Sequence, residues 1–496
     1  MAVRSGGGVP IGHTSEFYIG GSWVAPSSDA TFEVIDPSTE EPYFSVAEAQ
    51  AADMARAVGA ARAAFDDGPW PTMPPAERAA YLTRIAEKLR ERAEDVGQLW
   101  PRESGVIYEF AKHFGPVVGS MFDMYAAMAP SYPFEAEVPP TMGGSFGLLS
   151  REPVGVVGAI VPWNSALGQI GTKLAPALLA GCTVILKSSP EAPGEGYLIA
   201  EIAEEIGLPE GVLNVVTAGR EVSELLVRDP RVDKISFTGS TAAGRRVGAI
   251  CAERVARCTL ELGGKSAAVV LDDIDLEVVA STIAAQECAI SGQACISLTR
   301  IIVTGDRHDD FVDALAATFS KVAVGDPFET GVQMGPLATS VQRDRVEQHI
   351  AAGIRDGARL VTGGGRPAHL DKGWYVEPTV FADVDNSSPL GQEEIFGPVL
   401  SVIRARDEEH AVALANDTIY GLNASVFTDD ADRARQVARR LRSGTVGHNA
   451  SRSDIGVAFG GFKQSGIGRE GGVEGLSSYV ETKYTILEDR PAEFAG

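Results

Sequence analysis

A chain of 496 residues, 44% of them hydrophobic, exceeds what one core usually supports, so two or more compact units with buried interiors are expected. Its 67 acidic against 43 basic side chains give a net charge of −24 with no local basic patch, which argues against nucleic acid or an anionic membrane as partner and for a small molecule. The five cysteines, at positions 182, 251, 258, 288 and 295, form no CxxC pair; an odd number in so long a chain argues against a disulfide framework and for the reducing cytoplasm.

The first fifteen residues contain Ser5-Gly6-Gly7-Gly8 and no apolar signal core, so a mobile tail is expected, and no run of about 18 apolar residues suggests a membrane span. From Ala51 to Gln98 the Ala, Leu, Arg and Glu content and the spacing of Tyr81, Ile85 and Leu89 predict amphipathic helices, the second opening near Pro75. Pro130 to Glu152 is rich in Pro and Gly with short alternating runs. Beyond Val154 strand and helix alternate: strands at Val154 to Val161, Thr183 to Lys187, Val212 to Val216, Lys234 to Phe237 and Arg257 to Leu262, with helices at Leu167 to Ala180 and Glu195 to Ile206. Short apolar runs between helices of ten or more residues are what a parallel sheet covered on both faces produces, so this half reads as a Rossmann-like unit. A second α/β unit follows, with a helix from Asp275 to Ile290, a strand at Arg300 to Val303, a helix at Asp309 to Phe319 and strands near Val399 to Ile403 and Ala424 to Phe427. Leu476 to Leu487 alternates like a half-buried strand. Because an exposed edge of that length invites aggregation, pairing with another subunit is expected.

Chemistry concentrates in a few segments. Phe237-Thr238-Gly239-Ser240 follows a predicted strand and opens a predicted helix, so its glycine admits a pyrophosphate to the backbone while helix N-terminal amides and the Ser240 hydroxyl donate to it. The segment lacks the GxGxxG fingerprint, and taken alone such a turn is more often structural. Lys187 ends another strand, where a lysine either lies in solvent or reaches a cofactor ribose. A cysteine is usually a small buried hydrophobe, which is the reading for Cys182, Cys251, Cys258 and Cys288. Cys295 differs, because Ser291-Gly292-Gln293-Ala294 precedes it at a predicted helix end where the backbone exposes a side chain and an amide can stabilise an oxyanion. Glu261, beside Gly263 and Gly264, either pairs with a surface cation or serves as a mobile base.

Read together, Pro162-Trp163-Asn164, Phe237-Thr238-Gly239-Ser240, Glu261-Leu262-Gly263-Gly264-Lys265, Gly292-Gln293-Ala294-Cys295, Glu393-Glu394-Ile395-Phe396-Gly397-Pro398 and Phe459-Gly460-Gly461-Phe462-Lys463, with Ser465-Gly466 and Gly468-Arg469-Glu470, closely resemble the aldehyde dehydrogenase superfamily from Phe17 to Tyr484. The resemblance implies that Cys295 attacks an aldehyde, that Asn164 and the Cys295 amide hold the thiohemiacetal oxyanion, that hydride leaves for a nicotinamide, and that Glu261 deprotonates the water that splits the thioester. It implies a supporting electrostatic role for Lys173. It also implies a cofactor groove built from Ile160, Val161, Pro162, Trp163, Lys187, Ser189, Gly219, Phe237, Gly239, Ser240, Leu262, Glu394 and Phe396, with NAD the expected cofactor, NADP the alternative, and no metal. The expected organisation is a Rossmann-like cofactor domain (1–130 and 153–264), an α/β catalytic domain (265–475) and a small β oligomerisation arm (131–152 and 476–496) serving a homodimer or homotetramer.

Two departures from the family pattern bear on specificity. Pro190 stands three residues after Lys187, where many NAD-preferring relatives carry a glutamate, with Glu191 next to it. Ser165, Gly168, Gln169, Thr172 and Ala289 replace the bulky residues common around small-aldehyde tunnels, so a roomy, partly polar pocket for a bulky or functionalised aldehyde is expected, with Tyr125 and Ile296 as further wall. The rival readings are a CoA-acylating relative, which commonly lacks the base at Glu261, a cofactor-binding protein without turnover, and a cysteine hydrolase, which would need a histidine partner and finds only His448 beside a motif.

Overall fold

The computed structural model describes residues 8–454 and 456–494, so residues 1–7 of the expected mobile tail lie outside the described residues, whereas the rest of it is anchored, with Ile11 buried, the Gly12 amide donating to Glu201 and the Pro10 carbonyl accepting from Arg92. An eight-stranded sheet carries five parallel strands in the spatial order Arg257–Glu261, Lys234–Thr238, Val156–Ile160, Thr183–Ser188, Leu213–Thr217. In chain order these run outward in one direction from Val156–Ile160 and then restart on its other side with Lys234–Thr238. At such a reversal the crossing connections leave a crevice beyond the carboxyl ends of the two central strands. All five residues of Val156–Ile160 are buried, as a strand flanked by helices on both faces requires.

The second sheet has seven strands, ordered Arg359–Thr362, Thr379–Ala382, Val399–Ala405, Arg300–Thr304, Ala267–Val270, Asn423–Phe427, Thr445–His448, all parallel except the first, an antiparallel edge. A third, antiparallel sheet joins Glu135–Glu137, Phe146–Pro153 and Val480–Leu487. The mixed α/β class and both parallel units therefore match the expectation from sequence.

Local differences have local causes. A helix at Ala93–Ser104 follows Pro75–Glu91 directly. Leu476 lies in the helix Gly472–Ser477, not in the terminal strand, because Leu476 and Tyr479, three residues apart, both point into the core. The N-terminal strands Phe17–Ile19 and Ser22–Val24, too short to show a period, extend the first sheet. No helix among the described residues is long and apolar enough to cross a membrane.

Candidate active site

The crevice at the strand reversal is a groove of about 1020 Å³. Its floor is the chain leaving the central strand, Ile160, Val161, Pro162 and Trp163; its sides are Lys187 and Ser189, Gly219, and Phe237, Gly239 and Ser240. Ser240 caps the helix Thr241–Glu253, its Oγ accepting from the Ala243 amide at 3.3 Å, so the positive end of that helix opens on the groove. Lys187 is buried at the end of its strand, and desolvation pulls its ammonium pKa down to about 8, opposed by Glu191. The Ser189 hydroxyl bonds the Glu191 carboxylate on the same wall.

Beyond the floor lies a second chamber, set where the strands of the first sheet end and those of the second begin. Glu261 is the last residue of Arg257–Glu261; Cys295 precedes the strand Arg300–Thr304, and Glu394 and Phe396 precede Val399–Ala405. Close packing of two glycines draws these segments together: a Cβ on Gly264 would collide with the Cys295 carbonyl oxygen, and one on Gly263 with the Glu394 carboxylate, which accepts the Gly264 amide at 2.9 Å. Phe396, held at φ +62°, turns its ring edge to face Trp163 at 5.5 Å, so it stands between groove and chamber.

Asn164 is fixed from two sides. Its Nδ2 donates to the Gln293 carbonyl at 2.8 Å, its own carbonyl accepts from Trp100 Nε1 at 2.9 Å, and Gln293 is anchored by donating to the Ser104 carbonyl (3.1 Å) and accepting the Ala338 amide (2.9 Å). A carboxamide has two N–H donors, so one remains for a developing oxyanion. The Cys295 thiol is pushed up to about 12, by burial first and then by Glu394 and Glu261, while the Cys295 and Ile296 amides oppose the rise.

Glu261 is buried, and neither carboxylate oxygen has a partner among the described residues; a side chain on Gly460 would come within 2.6 Å of it. Burial drives its pKa well above the usual carboxylate range, Glu470 adds to the rise, and Lys173 and Arg469 oppose it. Lys173, fully buried, donates to Glu470 at 2.5 Å and to Thr238 Oγ1 at 2.6 Å. A carboxylate whose proton affinity is raised by burial and whose oxygens are unengaged is, once ionised, equipped to take a proton from water.

The aldehyde dehydrogenase family model matches residues 23–485. The chain belongs to the aldehyde dehydrogenase family. It is 43% identical over 471 residues to a geranial dehydrogenase of Castellaniella defragrans, covering 95% of this chain and 98% of that one. Among solved structures it superposes on an aldehyde dehydrogenase of Mycobacterium tuberculosis complexed with NAD+ at a TM-score of 0.93 (44% identity, 95% and 98% covered). It superposes equally, at 0.93, on a mutant of aldehyde dehydrogenase C from Pseudomonas syringae complexed with NAD+ and octanal (40% identity, 98% and 99% covered). As a member of this family it is an enzyme whose general reaction is oxidation of aldehydes to acids.

Ten of the residues expected to bind cofactor line the groove; Leu262, Glu394 and Phe396 do not. Leu262 instead packs under Gly244 of the helix Thr241–Glu253 and bonds the Ser465 carbonyl through its amide. The expected polar, roomy pocket is corrected in part. Gly168 is faced by the Phe114 ring, to which a Cβ there would come within 3.0 Å, Gln169 Oε1 is taken by Thr238 at 2.9 Å, and Thr172 Oγ1 donates to the Gln169 carbonyl at 3.1 Å. Tyr125 is core, 1% exposed, so it bounds no open space. Ala289 does border open volume, a cleft of about 480 Å³ shared with Ile107 and Ala285. Glu470, Gln293 and Trp100 carry roles that sequence reasoning did not assign; Glu470 and Gln293 stand inside quoted motifs, whereas nothing near Trp100 in the sequence marks it.

Proposed function

We propose that this enzyme oxidises a bulky, predominantly apolar aldehyde with NAD as hydride acceptor, through covalent catalysis at Cys295 and hydrolysis by water activated at Glu261. Lys187, Ser189, Gly239 and Ser240 would hold the dinucleotide, the helix N-terminus at Ser240 supplying positive potential for its phosphates. NAD, when bound, supplies the acceptor for the hydride released from the substrate carbon. The Cys295 thiol gives its proton to an ionised Glu261 oxygen, which passes it to solvent, and the sulfur adds to the aldehyde carbon while the spare Asn164 N–H and the Cys295 amide receive the oxyanion. After hydride departure the thioester carbon is attacked by water whose proton passes to a Glu261 oxygen, and collapse returns the thiol and releases acid. Lys173 would moderate the negative charge that Glu261 and Glu470 share.

The observation that carries this reading is Glu261 itself, buried with both oxygens unengaged and close enough to raise the Cys295 thiol. It also argues against transfer to coenzyme A, which would need no such base. Rapid mixing with an aldehyde panel tests it: wild type should turn over without coenzyme A and yield carboxylic acid, and Glu261→Gln should keep a single-turnover burst of NADH while losing steady-state rate. A full steady-state rate in that variant would refute the base assignment. Glu191, placed beside Ser189 in the groove, supports NAD over NADP; an NADP preference above about tenfold in kcat/KM, some 1.4 kcal/mol, would reverse that.

Trp100, whose Nε1 donates to the Asn164 carbonyl, packs with Phe110 and Phe114 at ring-centroid distances of 4.6–6.3 Å, an aromatic group that supports a more apolar wall than the partly polar one expected. Octanal and geranial, named for two relatives, are aldehydes of the apolar kind such a wall favours. The chain divides, on this reading, into the cofactor domain 1–130 with 153–264, the catalytic domain 265–475, and the arm 131–152 with 476–496 pairing a second copy in the cytoplasm. Light scattering that finds a monomer at micromolar concentration would remove the arm's role.

A further inference from the structure

Directly beneath the chamber, a small cavity of about 20 Å³ is walled by Lys265, Ser266, Arg300, Asn423 and Ser443. One buried water needs roughly 10–15 Å³ of such space, so the cavity takes a single atom-sized ligand. Lys265, Ser266 and Arg300 are 1%, 3% and 1% exposed. Lys265 Nζ, Ser266 Oγ, Arg300 Nε and Ser443 Oγ all lack a hydrogen-bond partner among the described residues, against one acceptor, Asn423 Oδ1, in the same state. The Arg300 Nη atoms are spent on neutral acceptors, the Asn386 side chain and the Leu414 and Ala415 carbonyls, at 2.7–2.9 Å. No ion pair is formed by Lys265 or Arg300 among the described residues, although Glu393 and Glu394 act on Lys265, and Asp417 on Arg300, at longer range.

Two cations and two hydroxyls around one atom-sized space make a donor-rich wall, and burying charge without a counter-charge is costly. We propose that this cavity binds one monoatomic anion of chloride or bromide size, held by Lys265, Ser266, Arg300 and Ser443. Sulfate and phosphate are too large for it. The site is separate from the cofactor groove and from Cys295, yet tied to the segments around Cys295: Lys265 follows Gly264, whose amide holds Glu394, and Asn423 Nδ2 donates to the Ile296 carbonyl at 3.0 Å. An occupied cavity therefore braces the two segments that flank the nucleophile. The alternative way to relieve the strain is loss of the Lys265 proton, toward which burial and Arg300 pull its pKa, to about 7.

Bromide distinguishes the two. Crystals of the whole enzyme grown in sodium bromide, measured at the bromine absorption edge, should show an anomalous peak between Lys265 and Arg300; density there without anomalous signal means water beside a neutral lysine and overturns the proposal. In solution, thermal unfolding at constant ionic strength, with chloride replaced stepwise by acetate, should show a saturable rise in Tm with chloride, as binding to the folded state alone demands. Lys265→Met, close in length and apolar, should abolish that dependence; an equal chloride dependence in wild type and variant also overturns the proposal. The anomalous measurement needs no variant, so it decides the matter even if Lys265→Met folds poorly.

Discussion

The groove and the chamber are neighbours built on opposite principles. The groove is open, uses backbone and a helix N-terminus from the carboxyl ends of one parallel sheet, and its charged walls, Glu191, Arg220 and Glu224, meet solvent. The chamber uses side chains and keeps Glu261, Lys173 and Glu470 at 3% exposure or less. Topology alone delivers a groove of this kind, since any sheet with this strand reversal leaves one. A chamber of buried charge exists only if each member is individually matched.

The difference can be broken at chosen points. Cys295→Ala should lower kcat by roughly 10⁴-fold or more, as removal of a nucleophile does, while NADH affinity measured by fluorescence quenching stays within about twofold. Loss of both would mean that groove and chamber are one unit. Glu261→Gln should cost roughly 10²–10⁴ in steady-state rate, the range for a general base, with the NADH burst preserved. Lys173→Met leaves Glu470 buried and unpaired and should destabilise the fold by about 3–5 kcal/mol in urea denaturation, whereas adding Glu470→Leu should recover most of it. A double variant as unstable as the single one would show that the pair is not what matters there.

Alkylation sharpens the contrast further. With its thiol pushed up to about 12, Cys295 should react with iodoacetamide ever faster as pH rises, since only the thiolate attacks, and without a plateau near pH 8–9 where an ordinary cysteine levels off. Glu261→Gln removes a neighbour that is negative once ionised, and should raise the rate at the alkaline pH where Glu261 carries its charge; a plateau near pH 8 in wild type would sink this picture. The smallest effect belongs to the groove: Ser240→Ala removes a helix cap and should cost about 1 kcal/mol of stability by denaturant melting, with kcat nearly unchanged. A large fall in kcat would join Ser240 to the chamber.

Legibility in the sequence follows the same division. The strands at Val156–Ile160, Thr183–Ser188 and Arg300–Thr304 could be placed within a residue or two because short buried apolar runs between helices have one common solution. The groove residues from Ile160 to Trp163 and from Phe237 to Ser240 follow from where those strands stop. Gly168 and Gln169 misled, because a sequence shows the small residue and not the Phe114 ring that faces it from the helix Phe114–Met128, nor the Thr238 hydroxyl that engages the amide. Trp100 was invisible for the same reason. Its single decisive contact is to a backbone carbonyl, which any residue at position 164 would present.

Glu470 meets Lys173 across 297 positions. During synthesis the ribosome releases Cys295 long before it releases the carboxylate that neutralises the lysine on the far wall. Domains made first can fold as they emerge, but a contact of such sequence span closes last. A nascent chain therefore carries the Cys295 thiol for a time without the finished surroundings, which are complete only when nearly the whole polypeptide is free.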